Sequence, residues 1–234
     1  PLFVVATILL STITVVGCAL GGQRIFGYWP GVYWSRIALV LSLCPTRVVG
    51  REYIPKDHTS CVVMANHQGA FDIFMMYGLL PIPFRWVMKA SLRKVPFMGK
   101  ACQMAGFIFV DDQKKGSIKE TMDSARRVLS EGTSIFIFPE GRRTLTGRMD
   151  RFKKGGFVLA YELDVPIIPV SIDGSYRALR AGGRWVTPTR LTLTIHPPIQ
   201  IDREGEYPRN MLQALDQVRS SIASVLPEEQ ETHS

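Results

Sequence analysis

Asn66-His67-Gln68-Gly69-Ala70-Phe71-Asp72 sets an imidazole and a carboxylate five positions apart, directly after the apolar run Cys61-Val62-Val63-Met64-Ala65. An aspartate that holds one ring nitrogen leaves the other as a base, and stabilises the imidazolium formed when a proton is taken. No serine or cysteine lies close by in sequence to act as a nucleophile. The pattern points to an enzyme that deprotonates its substrate's own hydroxyl. On a straight helix the two residues would stand ~140° apart, so the spacing predicts His67 in a loop and Asp72 in the first turn of the following helix. Taken alone, the pair also fits a satisfied loop histidine beside an aspartate that favours a helix N-terminus. A second cluster, Phe138-Pro139-Glu140-Gly141-Arg142-Arg143, lies about seventy residues downstream.

The elements that must position these groups follow from the apolar pattern beyond residue 50. Cys61–Ala65, Phe84–Met88, Phe107–Val110, Ile135–Phe138, Ile167–Ile172 and Leu191–Ile195 read as short strands. Ile118–Ser130, Gly155–Leu163 and Arg209–Val225 carry helical spacing. Strands alternating with helices predict an α/β fold with a mixed central sheet flanked by helices. Active residues of such sheets gather just past the strand C-termini, and both clusters follow strands, so one sheet edge can hold them together. Backbone N–H groups near Gly69 or Gly141 are candidates for stabilising an oxyanion.

Pro1 to Gln23 carries no charge and is almost continuously apolar or small, close to the ~20 residues a helix needs to cross a bilayer. A cleaved secretory signal would want a basic start, which is absent here. Ile37 to Cys44 is a second apolar run, too short to span, and predicts a re-entrant or interfacial segment, with an ordinary buried helix hairpin as the alternative. Tyr28, Trp29, Tyr33 and Trp34 suit the headgroup level. Residues 1–48 thus read as an N-terminal apolar helical membrane anchor, 49–227 as a catalytic domain and 228–234 as a disordered tail. Arg24, Arg36, Arg47 and Arg51 precede the first acidic residue, Glu52, which predicts a catalytic domain on the cytoplasmic face of the cell's inner membrane. The net charge of +8 would favour an anionic leaflet. Its scattered distribution, without a helix-turn-helix or zinc pattern, argues against nucleic acid. Cys18, Cys44, Cys61 and Cys102 show no paired spacing and read as buried apolar residues in a reducing compartment.

Two further blocks, Gly106-Phe107-Ile108-Phe109-Val110 and Val165-Pro166-Ile167-Ile168-Pro169-Val170, complete a series of four in fixed order. From roughly Val62 to Asp173 the chain resembles the 1-acylglycerol-3-phosphate acyltransferase family, in its bacterial form. The resemblance implies a glycerolipid acyltransferase-like fold. It implies transfer of a fatty acyl group from acyl-CoA or acyl carrier protein to the free hydroxyl of lysophosphatidate, giving phosphatidate. The thioester is a co-substrate; no cofactor and no metal are implied. Carried over by position, His67 is the general base and Asp72 its orienting partner, with no acyl-enzyme. Glu140 and Gly141 shape the acceptor site and Arg143 binds the acceptor phosphate. The chain departs from the family at Asp112, where an arginine is expected. Arg142, Lys153, Lys154, Lys114 or Lys115 can replace that cation, or the acceptor is another lysolipid such as a lyso-aminolipid, or Asp112 is a plain surface residue. Lys89 and Lys100 are weaker candidates for a cationic rim facing donor or headgroups. A non-catalytic lipid-binding protein is the competing reading from another class.

Overall fold

Runs too short and too β-branched for helices become strands of one sheet, and the longer periodic stretches cover it. The computed structural model describes residues 2–56, 59–111, 116–180, 182–183 and 185–230. Helices α1 (Leu2–Ala19), α2 (Gln23–Phe26) and α3 (Trp29–Leu41) precede β1 (Thr46–Val49), β2 (Val62–Ala65) and α4 (Phe71–Leu79). Next come β3 (Phe84–Lys89), α5 (Met98–Met104), β4 (Ile108–Val110), α6 (Ser117–Ser130), β5 (Ser134–Ile137) and α7 (Gly155–Leu163). The remaining elements are β6 (Ile167–Asp173), α8 (Ser175–Ala178), β7 (Leu191–Ile195), α9 (Tyr207–Ala223) and α10 (Pro227–Gln230).

The strand order is β1-β7-β6-β2-β5-β3-β4. All pairs are parallel except β6 with β7, so the sheet is mixed, as the alternating pattern predicts. β2 lies at the centre, with Val62 opposite Ile135 on one side and Ile167 on the other. Its four residues are all buried, because helices cover both faces and leave no polar alternation. Val63 and Ala65 join one core with residues of α3 and α4, whereas Val62 and Met64 join the other with α6, α7 and α9. Parallel β2, β3 and β5 end at the same edge, which delivers His67, Lys89 and Pro139–Arg143 to one crevice.

Two expectations from sequence change. The apolar run from Ile37 belongs to a longer helix, α3, which starts at Trp29 with Pro30 in its first turn. Val32, Ala38 and Leu39 of α3 are buried, and Tyr28 is too, its hydroxyl donating to the Ile82 carbonyl at 3.0 Å. α3 therefore covers α4 as part of the core, and Tyr28 is enclosed within the protein, whereas Trp29 and Tyr33 remain exposed. Trp34 Nε1–H donates to Thr7 Oγ1 at 2.9 Å and ties α3 to α1. The tail is the second change. Its start forms α10, where Glu229 Oε1 accepts the Met149 N–H at 2.7 Å, so the chain is docked at Glu229. Residues 231–234, and Asp112, Lys114 and Lys115, lie outside the described residues.

Candidate active site

Asp72 stands in the first turn of α4 and His67 in the loop before it. His67 Nδ1 lies 2.7 Å from Asp72 Oδ2, with the carboxylate fully buried and the ring 15% exposed. An ionised carboxylate only accepts, so Nδ1 carries the proton and Nε2 keeps its lone pair, a tautomer assigned from this bond. Asp72 Oδ2 also accepts the Gly69 N–H at 2.9 Å, which curls the loop back onto the helix. The Phe138 ring stacks on the imidazole, centroids 3.8 Å apart and planes within 6°. The backbone of His67 is held on both sides: its N–H donates to Glu140 Oε1 at 2.7 Å and its carbonyl accepts the Thr144 N–H at 2.8 Å. Asn66, fully buried, donates to the Ile172 carbonyl and accepts the Ile172 N–H, locking the end of β2 to β6.

Glu140 spends both oxygens on backbone, Oε1 on His67 and Oε2 on the Asp150 N–H at 2.7 Å. Burial pushes its carboxyl up to about 7, against the lowering effect of those two N–H groups. Gly141 sits at φ +73°, and a Cβ there would meet Lys153 Nζ at 2.8 Å, so glycine is what lets Lys153 cross this turn. Arg142 is engaged by Asp150, 2.6 Å away, an exposed pair that holds the Asp150 carboxyl below its usual range through the Arg142 hydrogen bond. Arg143 and Lys153 face the crevice with His67, and Lys89 joins them from the end of β3. Lys100 and Lys154 are exposed and line neither of the cavities that meet at His67. The Gly69 and Gly141 N–H groups, candidates for an oxyanion, are already donating to Asp72 and to the Phe138 carbonyl. Phe138, Thr144 and Asn66 hold the His67 loop without having been assigned a role from spacing; Asn66 and Phe138, the first residues of the two clusters, are the signals visible in the sequence.

Two cavities open at the ring. One of about 390 Å³ lies beneath α1, α3, α4 and α5, and one of about 700 Å³ lies between α6, α7 and the ends of β3 and β5. Among the described residues no serine or cysteine is hydrogen-bonded to the His67 ring. Cys102 lines the smaller cavity, but burial pushes its thiol up to about 12, far from the thiolate a nucleophile requires. A different Ser–His pair, Ser171 and His196 at 2.7 Å, is buried and lines neither cavity. The Ser171 hydroxyl proton goes to the Ile222 carbonyl, so that pair tethers α9 to the sheet and does no chemistry. His67 and Asp72 thus form a hydrogen-bonded pair to which, among the described residues, no serine or cysteine is joined.

Known proteins resemble this chain in sequence and in fold. The family model described as Acyltransferase matches residues 45–173, which contain both clusters. A 1-acyl-sn-glycerol-3-phosphate acyltransferase of Pseudomonas aeruginosa is 30% identical over 205 residues, 83% of this chain and 76% of that one. The alpha enzyme of that name from Mus musculus is 33% identical over 170 residues, 71% of this chain and 59% of its own. The one from Chlamydomonas reinhardtii is 28% identical over 78% of this chain and 53% of its own, so the chain spans little more than half of these longer relatives. The crystal structure of the 1-acyl-sn-glycerophosphate acyltransferase PlsC from Thermotoga maritima superposes with a TM-score of 0.73 at 24% identity, covering 96% of this chain and 95% of that one, which shows the same fold. With the family model spanning more than half its length, the chain belongs to the acyltransferase family.

Proposed function

We propose that the chain transfers a fatty acyl group from a thioester, acyl-CoA or acyl carrier protein, to the free hydroxyl of lysophosphatidate, giving phosphatidate. One observation carries this reading: the His67 ring lines two cavities at once, while its Nδ1 is held by buried Asp72. Nε2 takes the acceptor's hydroxyl proton as its oxygen attacks the thioester carbonyl, and Asp72 stabilises the imidazolium. The tetrahedral adduct collapses, the C–S bond breaks, and Nε2–H returns the proton to the departing thiolate. No acyl-enzyme forms. The relatives' names, which specify this acyltransfer, support the acceptor. Arg143 and Lys153, beside His67, supply the charge for its phosphate.

The exposed apolar side of α1, with Leu2 64%, Val5 60% and Leu9 58% exposed, supports a membrane-bound enzyme that meets both lipids at the bilayer. α1 is the one described helix long and apolar enough to cross a membrane by length and composition. The arginines that follow it favour the cytoplasmic face. The test is direct. Purified in detergent with radiolabelled acyl-CoA, the protein should acylate lysophosphatidate, and His67→Ala should lower the rate ~10²–10⁴-fold. Full transfer by His67→Ala overturns the base assignment. A lyso-aminolipid accepted in place of lysophosphatidate overturns the acceptor and leaves the mechanism standing.

A further inference from the structure

An acyl transfer between lipids brings two fatty chains to one hydroxyl, and the two cavities that meet at His67 differ in chemistry. The smaller is walled by Leu10, Trp34, Phe74, Tyr77 and Phe107, and Arg143 is its one formally charged lining residue among those described. It suits an uncharged acyl chain whose thioester lies at the ring. The larger is amphipathic. Buried Ala125 and Leu159, with Val87, Met122 and Ile137, line its depth, while Lys89, Arg142, Arg143 and Lys153 are exposed at its mouth. Gly155, at the start of α7, leaves room beside Lys153, since a Cβ there would meet nothing within 4 Å.

We infer that the larger cavity binds the acceptor lysolipid whole: its phosphate at the cationic mouth, its hydroxyl at His67, and its existing acyl chain between α6, α7 and the sheet. The inference rests on the acyl-transfer reading above. Charge complementarity selects this occupant, because an anion joined to one hydrocarbon chain matches cations joined to one apolar chamber. The thioester arm of the donor fits less well. It carries amide groups, and the inner wall of Val87, Met122, Ala125, Ile137 and Leu159 offers their hydrogen bonds no side-chain partner.

The experiment uses the full chain in detergent with lysophosphatidate bearing a photoreactive diazirine at the end of its acyl chain. Peptides of α6 and α7 should be labelled, and Met122→Trp should cut that labelling severalfold. Labelling confined to α1 or α5 overturns the inference. In turnover, Met122→Trp should raise KM for oleoyl lysophosphatidate about tenfold and leave hexanoyl lysophosphatidate within about twofold, since only the long chain reaches the blocked depth. Retained hexanoyl turnover shows that the variant is folded. A changed preference among donor chain lengths, with acceptor KM unmoved, overturns the inference as well. Labelled α6 without any turnover in the parent protein supports the chamber and sinks the acyl-transfer reading; turnover with α6 unlabelled does the reverse.

Discussion

His67 is fixed at four points: the Asp72 carboxylate on Nδ1, the Phe138 ring on its face, Glu140 on its N–H and the Thr144 N–H on its carbonyl. A side chain held this way has little freedom left to lose when a ligand arrives, and for the proposed base a small misplacement is costly. Glu140 is therefore a positioning residue acting through the His67 backbone. Glu140→Gln presents an NH₂ to one of two N–H donors and should loosen the loop. We expect kcat to fall about 10–100-fold with KM for lysophosphatidate little changed. A large rise in KM with kcat intact would return Glu140 to direct acceptor contact. The carboxyl also sets a stability signature. Its folded value of about 7 exceeds the ordinary 4.5, so the folded state holds a proton that the unfolded chain releases. Stability relative to the Gln variant should be fully present below about pH 4.5 and lost as pH rises to about 7. Thermal unfolding of both proteins across that window measures it. A constant offset would mean that Glu140 is ionised throughout.

Among the elements, β2 carries the most. Its apolar run, with β-branched Val62 and Val63, is legible as a strand from sequence, and so are β3, β5, β6 and β7, because each is a short apolar block bounded by turn residues. β1 was not legible: Thr46–Val49 is polar at one end, mostly exposed, and gains its place only by pairing with β7. Only the second half of α3 shows as an apolar run, because Pro30 and Gly31 interrupt the pattern at its start, where packing on α4 holds the helix. The joint between β2 and β6 is a side chain, Asn66, bonded twice to Ile172 at 2.9 and 2.8 Å. Asn66→Ala would strand two buried backbone groups and should cost ~2–4 kcal/mol, an apparent Tm loss of roughly 5–15 °C. A Tm within a degree or so of the parent's would show that water or a local shift satisfies Ile172.

The whole molecule is organised around two cavities that meet at one sheet edge. α1 is divided lengthwise: Thr7, Leu10, Ser11 and Thr14 line the smaller cavity, while Leu2, Val5, Leu9 and Val16 point outward. Thr7 and Thr14 return their hydroxyls to the Phe3 and Leu10 carbonyls, so their polar groups cost the cavity nothing. Replacing the four outward residues by serine should weaken sedimentation with anionic vesicles by roughly tenfold or more, and leave transfer to detergent-dispersed acceptor near its parent rate. Undiminished sedimentation would move the anchor elsewhere.

What the sequence determined by itself was local. The five-residue step from His67 to Asp72 spans one loop and one helical turn, so chain geometry alone brings ring and carboxylate together. The apolar blocks likewise declare their own strands. Tertiary structure decided everything joined over distance: Glu140 reaches His67 from 73 positions away and Ile172 meets Asn66 from 106. Those meetings depend on which strand lies beside which, and strand order is a property of the assembled sheet. The same holds for the two cavities, whose walls come from helices on opposite faces and converge only where β2, β3 and β5 end together.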